Sequence, residues 1–344
     1  MRESVLRIGI VGAGIWGENH GRIYSAMDGC QVTAVCDRNG ARASELAAKL
    51  GASECFDDYT EMFAQGSIDA VAIVTPDFAH ADIAVAAAQA GKHMLIEKPL
   101  ATTRDDVARM VEAITSAGVR AMVDLHNRWS PPFNTAHQIL ESGRLGDPYS
   151  AYFRLNDTRW VATDMLPWAA KSSILWFLGS HSLDTLRWFF NDEVARVYCT
   201  SRKGILASQG VDATDVYLTT LEFARGGIAQ MENAWITPNG HPNINDIKFN
   251  LIGTKGSIAV DATNHNLIQL YTEEATTVPD VLVQNSVFGR PAGFAFESIR
   301  SFADCLISGA EFKVSLEDAA NGSLAILAIK ESAALRQPVE VRYL

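Results

Sequence analysis

The sequence predicts an α/β chain of two domains. The first is a Rossmann-type, doubly wound nucleotide-binding domain over residues 1–126. The second, over residues 127–344, is an α/β domain with an open, mainly antiparallel sheet. Three observations predict this: a GAGIWG turn set between an apolar strand and a helix, strand–helix alternation that continues to about residue 126, and a later series of short alternating strands divided by Gly, Asn and Asp. A length of 344 residues suits two domains, and 48% hydrophobic with 20% charged residues suits a chain that buries a large core.

The first strand is LRIGIV, a short β-branched run of the kind buried on both faces of a parallel sheet. It runs into Gly12, Gly14 and Gly17, with Ile15 and Trp16 between the last two, and then into the helical segment ENHGRIYSAM. Glycines at this spacing allow a tight turn, close approach of a pyrophosphate and packing of helix on strand. The helix N-terminus then offers free N–H groups to phosphate. The second strand, QVTAVCD, ends in Asp37, about 20 residues beyond the turn, where a carboxylate accepts hydrogen bonds from an adenosine ribose. A carboxylate there repels a 2′-phosphate and favours NAD. Arg38, next in line, keeps NADP open, because an arginine pairs with that extra phosphate.

ARASELAAKL reads as a helix, EMFAQG as part of another, and IDAVAIVT as a buried strand ending at Thr75-Pro76. DFAHADIAVAAAQAG reads as a helix capped by Asp77 and stopped by Gly91. KHMLIEKPL is a strand, TTRDDVARMVEAITSAG a helix and VRAMVDLH a strand. In such sheets ligands gather at the carboxyl ends of the strands. Those ends are the glycine turn, Asp37, Thr75-Pro76, Glu97-Lys98-Pro99 and His126-Asn127-Arg128. Lys98 stands out among them. A structural lysine keeps its head hydrated on a helix face or loop tip, whereas one at the end of an apolar strand, beside a cofactor, is placed to act as general acid or base. Glu97 is positioned to orient it.

The formal net charge of −11 and the scatter of Lys and Arg argue against nucleic acid or an anionic membrane as partner. Five cysteines with no CxxC pair suit reduced thiols and point to neither a disulfide framework nor a metal site. No apolar run of about 18 residues is present, and the opening apolar run is too short for a signal peptide, so the expectation is a cytoplasmic protein.

The second half opens with SPPFNTAHQILESGRLG, a helix begun by prolines and closed by glycines. YSAYFRLN, RVYCTSRK, DVYLTTLEFA, GGIAQMENAWI, DIKFNLIGT and GSIAVDA follow as strands. Between them, SSILWFLGSHSLDTLRWFF is an apolar helix with His181 and Asp184 three residues apart on one face. Taken alone, this pair fits a core histidine satisfied by a carboxylate better than it fits a catalytic one. Arg128 and Asn127 are candidates beside a nicotinamide. Trp235, Asn239 and His241 in WITPNGHPN form the aromatic-and-amide set that recognises sugar hydroxyls, or else a plain surface loop. Trp168 and Lys171 are candidates to close over a pocket.

VGAGIWG, VTPDFAHAD, GKHMLIEKPLATT, GSHSLD and FADCLISGAEFKVSLEDAANGSLAILAIKESA, in this order, resemble the Gfo/Idh/MocA oxidoreductases, the relatives of glucose–fructose oxidoreductase and inositol 2-dehydrogenase. The resemblance implies an NAD(P)-dependent dehydrogenase acting on a secondary hydroxyl of a sugar, cyclitol or sugar derivative. It also implies a homodimer or homotetramer formed through the C-terminal sheet. The family's proton-relaying lysine matches Lys98, its catalytic histidine His181 and the aspartate of that helix Asp184. The loop lining the nicotinamide matches Thr75, Pro76 and His80. Where the family carries a substrate-binding aspartate four residues before the histidine, this chain has Phe177. That departure implies a substrate with an apolar portion, or a polar contact supplied from elsewhere, with Lys171 and Asp164 as candidates. Two other readings fit the same residues. One is a redox-cycling glycosidase or lyase that keeps NAD bound, and the other is a non-enzymatic dinucleotide-binding sensor.

Overall fold

A computed structural model describes residues 5–263, 267–274 and 276–344. The chain divides into two units, one made of Met1–His126 and Val283–Ala320, the other of Asn127–Leu282 and Asn321–Leu344.

In the first unit, β1 (Leu6–Val11), β2 (Cys30–Cys36), β3 (Glu54–Phe56), β4 (Ala70–Ile73), β5 (His93–Ile96) and β6 (Ala121–Val123) form one parallel sheet in the order β3-β2-β1-β4-β5-β6. The reversal of order beside β1 is the switch point at which such sheets bind ligands. The β-branched and small apolar runs of β1, β4 and β5 are buried on both faces, with Ile8, Ile10, Val71, Ile73 and Ile96 all fully inaccessible. The helices α1 (Ile15–Ser25), α2 (Gly40–Leu50), α3 (Tyr59–Gln65), α4 (His80–Gln89) and α5 (Arg104–Ala117) connect the strands. Asn39, Asp58 and Thr103 cap α2, α3 and α5 by accepting backbone N–H groups of the first turn. Asp77 does not cap α4. Residues Asp77–Ala79 form a 3₁₀ turn in which its carboxylate accepts from Phe78 N at 2.8 Å, and α4 begins only at His80.

In the second unit, α6 (Pro131–Glu141) starts with proline at its first positions. β7 (Pro148–Asp157) follows. Two π-helical turns, Val161–Met165 and Leu175–Gly179, flank a 3₁₀ turn at Ala169–Lys171 and lead into α7 (Ser180–Phe190). The hydroxyls of Ser180 and Ser182 donate to the carbonyls of Trp176 and Leu178, so the serines of this apolar stretch serve carbonyls of the widened turn. β8 (Val194–Arg202), α8 (Ile205–Ser208), β9 (Val216–Phe223), β10 (Ile228–Ala234), β11 (Asn245–Gly253) and β12 (Ser257–Asp261) complete the main body. The small hairpin strands β13 (Leu270–Tyr271), β14 (Thr276–Thr277), β15 (Asn285–Val287) and β16 (Arg290–Ala292) follow, then α9 (Phe294–Ser308), α10 (Leu316–Leu335) and β17 (Val339–Glu340). The larger sheet runs β12-β11-β7-β10-β9-β8-β17, with β7 and β10 parallel and every other pair antiparallel. Its covered face is packed with Phe133, Phe153, Phe189 and Phe249, at ring separations of 4.7–5.7 Å.

Val283–Ala320 groups with the strands and helices of the first unit although it lies far along the chain. The reason is side-chain packing invisible to a linear reading. Ser298 on α9 donates to Asp124 at 2.5 Å, and the Arg120 guanidinium donates to the carbonyls of Cys305 and Ala310 while lying over the Phe312 ring. Among the described residues no helix is long and apolar enough to cross a membrane.

Candidate active site

The glycine turn is built by sterics. Gly12 has φ +110°, and a Cβ there would sit 2.3 Å from the Val74 carbonyl oxygen. A Cβ on Gly17 would lie 1.9 Å from the Gly12 oxygen, so the helix can approach the turn only without one. Around Gly14 a Cβ would meet nothing within 4 Å, so this face of the turn is open where a phosphate would lie. Gly14 is also the N-cap of α1, and no side chain caps that helix, so its first N–H groups stay available to an anion. Ile15 is exposed, Trp16 half-buried.

Asp37 follows β2 directly. One carboxylate oxygen accepts from Ala13 N and the other from Asn39 N, both at 2.8 Å. Each oxygen keeps a lone pair for a further donor. Arg38 is exposed. At the end of β4, Thr75 and Pro76 are tied to the lysine loop by His80, which is fully buried. Its Nδ1 lies 2.8 Å from the Pro99 carbonyl and its Nε2 3.0 Å from the Thr75 carbonyl. His80 is thus a strut between two strand ends, and it braces the segment that carries Lys98. Lys98 is half-buried between buried Glu97 and buried Pro99, across a cis Lys98-Pro99 bond. Burial works against charge on Glu97. A hydrogen bond from His20, with the charges of His20, Lys98 and His126, outweighs it and holds the carboxyl at about 2.

In the second unit, His181 is 3% exposed and Asp184 1%. Asp184 makes a structural contact with Arg128. Its two oxygens take a fork from Arg128, at 3.0 Å from Nε and 2.6 Å from Nη2, and the guanidinium also lies 6.0 Å from the Trp188 ring. Asn127 Nδ2 donates to Thr185 Oγ1 at 3.2 Å, and that hydroxyl donates to the His181 carbonyl at 2.8 Å. Asn127, Arg128 and Asp184, expected beside a nicotinamide or a substrate, fasten the segment after β6 to the histidine helix.

Phe177, in the second π turn, is half-buried, with ring centroids 6.5 Å from Trp168 and 6.0 Å from Trp235 in edge-to-face arrangements. Trp235, expected in a sugar-facing loop, is fully buried in the core. The chain has not yet left the sheet there, since Trp235 N donates to the Asp215 carbonyl. Asn239 is exposed and His241 half-buried. With Thr158, Trp160, Asn243 and Ile244 they line a cavity of about 300 Å³, in which Asn239 Oδ1 accepts from Trp160 N at 2.8 Å. Lys171 and Asp164 are exposed.

Sequence reasoning missed His20. It is fully buried on α1, with Nε2 3.1 Å from Glu97 Oε1. The available signal was its place between Gly17 and Gly21, which mark the helix face pressed against β1 and α2.

Residues 6–125 match the model of an oxidoreductase family with an NAD-binding Rossmann fold, and residues 133–259 match the GFO/IDH/MocA C-terminal domain. The chain belongs to the Gfo/Idh/MocA oxidoreductase family. Among its relatives, levoglucosan dehydrogenase of Pseudarthrobacter phenanthrenivorans is 28% identical over 77% of this chain and 76% of its own. The scyllo-inositol 2-dehydrogenase (NAD(+)) of Bacillus subtilis is 26% identical over 89% and 88%. The crystal structure of scyllo-inositol dehydrogenase from Lactobacillus casei with bound NAD(H) and scyllo-inositol has the same fold, with a TM-score of 0.83 at 20% identity over 98% of this chain and 99% of that one.

The turn geometry of this Gfo/Idh/MocA chain fits the dinucleotide its family binds. At a hundredfold excess of NAD over Kd, the wild type gains about 2.7 kcal/mol against thermal unfolding. Gly14→Val folds, because its side chain enters open space, but loses that gain, because the space belongs to the pyrophosphate. Gly12→Val is unstable with or without NAD. Thermal melts with and without the nucleotide check all three.

Proposed function

We propose that this oxidoreductase oxidises a secondary hydroxyl of a sugar, cyclitol or sugar derivative with NAD as acceptor, or reduces the corresponding ketone. The observation that carries the reading is Lys98 itself, a half-buried lysine at the carboxyl end of β5, in the same sheet as the glycine turn, next to an ionised buried carboxylate and braced through Pro99 by His80. When bound, NAD supplies the hydride acceptor. The chain supplies the rest. The first-turn N–H groups of α1 hold phosphate, Asp37 holds the ribose hydroxyls, and Thr75 and Pro76 line the nicotinamide. Lys98 and His181 share the acid–base work, one taking the hydroxyl proton and the other hydrogen-bonding the developing alkoxide.

The names of the relatives point to anhydrosugar and cyclitol substrates. The aromatic edge made by Phe177 and Trp168 supports a ring substrate with a C–H face. The outward face of the seven-stranded sheet presents Tyr198, Leu218, Ile228 and Ile252, each 42–55% exposed, which supports a homo-oligomer formed through that sheet. The direct test is a panel of levoglucosan, scyllo-inositol and myo-inositol with NAD and NADP, read by NADH absorbance. Turnover with at least one of them supports the reading, and failure to reduce NAD with any of them counts against it.

Cofactor choice gives a separate prediction. Asp37→Asn keeps an acceptor oxygen but removes the charge that repels a 2′-phosphate, beside exposed Arg38. The kcat/KM ratio of NADP to NAD rises by about tenfold or more in this variant. An unchanged ratio means that Asp37 does not face the ribose.

A further inference from the structure

Behind Lys98 lies a buried titratable cluster that the proposed chemistry does not use directly. Glu97, 9% exposed, receives the His20 hydrogen bond at 3.1 Å. An ionised carboxylate can only accept, so His20 Nε2 carries the proton of that bond. A second carboxylate, Asp124, is fully buried, held by Ser298 Oγ at 2.5 Å, with His126 Nδ1 3.8 Å away. A side-chain nitrogen of His20 and a carboxylate oxygen from each of Glu97 and Asp124 lie within 4.8 Å of one another. From α1, Trp16 stacks at 6.3 Å on His126 and stands 6.5 Å from the His20 ring, and the buried Tyr24 ring is 6.1 Å from His20. Burial, with Asp124, Cys30 and Glu97, holds the Tyr24 phenol in its neutral form well above its ordinary range. From α9, Phe294 lies 5.6 Å from His126.

A cluster of this kind is costly, because apolar residues of equal volume often stabilise a fold at least as well as buried charges do. Its position explains why it is there. Glu97 and Lys98 are consecutive residues, so whatever holds the carboxylate also holds the lysine's backbone, and its negative charge favours the ammonium form of its neighbour. We propose that His20 is a positioning residue for Lys98: by donating to Glu97 it holds that carboxylate in place, and the carboxylate sets both the position and the proton affinity of the lysine. This rests on the reading of Lys98 as the group that exchanges the substrate proton.

The sign follows from charge. Without the His20 donor, buried Glu97 takes up a proton, Lys98 loses its negative neighbour, and it gives up its own proton at lower pH. The test uses the full chain with NAD present, labelled with ¹³C at lysine Cε, and the Lys98 signal is assigned by its disappearance in Lys98→Arg. His20→Leu and Glu97→Gln each lower the Lys98 midpoint by about one pH unit, a tenfold loss of proton affinity. His20→Gln donates from nearly the same place and restores the wild-type midpoint. Glu97→Gln removes the charge without touching His20, and so decides the matter if His20→Leu does not fold. Wild-type midpoints in both His20→Leu and Glu97→Gln, or in Glu97→Gln alone where His20→Leu is unfolded, overturn the proposal, whatever happens to thermal stability. Turnover that survives Lys98→Ala would overturn the reading of Lys98 as the relay, and it leaves the titration result to stand by itself.

Discussion

Replacing Lys98 with alanine lowers kcat by about 10²–10⁴-fold, the range for loss of a positioned acid–base group, while the affinity for NAD changes little. The two effects separate because the groups expected to hold the dinucleotide, at Gly12–Gly17 and Asp37, are fixed by contacts of their own. The Ala13 N–H is anchored on Asp37, and the turn is anchored on the Val74 carbonyl by the lack of a Cβ at Gly12. Lys98 contributes to none of these. Lys98→Arg sharpens the result. Arginine keeps the positive charge but does not release its proton near neutral pH, so it stays close to the alanine variant if the lysine exchanges a proton. Recovery of turnover in the arginine variant means that Lys98 works as a fixed charge alone. Stopped-flow turnover and nucleotide titration on the same preparations distinguish these outcomes.

The second large effect is on stability. Asp184→Asn leaves the Arg128 guanidinium, whose side chain is 10% exposed, without its anionic partner, and Arg128→Met leaves buried Asp184 without its cation. Breaking one side of a buried ion pair costs about 3–5 kcal/mol. For a unit of this size that lowers Tm by roughly 6–20 °C. The double variant Arg128→Met with Asp184→Leu regains much of the loss, since apolar replacement of the whole pair is near neutral. If single and double variants melt alike, the two side chains do not act as a pair.

Much of the first unit was legible because its chemistry is local. The glycines, Asp37 and Lys98 sit at strand ends that apolar runs announce, and the spacing of Gly12, Gly14 and Gly17 carries its steric reason with it. What escaped depended on packing between distant segments. Trp235 borders the turn-rich PNGHPN and reads as a loop residue, yet its indole fills the core because β10 continues its burial one residue past Ala234. Asp184 reads as the partner of His181 because they share a helix face, and only the fold shows Arg128 at its carboxylate. The strand Glu54–Phe56 is three residues long, too short for a period to appear. Nothing in the sequence between 283 and 320 says that α9 returns to Asp124 and Arg120. His20 was overlooked for the same reason. A histidine in a glycine-flanked helix declares its face but not its partner, and Glu97 lies 77 residues away.

The measurement that bears most directly on the central claim is the stoichiometry of NADH to ketone with a substrate deuterated at the carbinol carbon, taken from the levoglucosan and cyclitol panel. The account predicts one NADH per ketone, the label carried into the nicotinamide, and loss of both products in Lys98→Ala. Glycoside cleavage or elimination without net NADH, or turnover unaffected by Lys98→Ala, would contradict it.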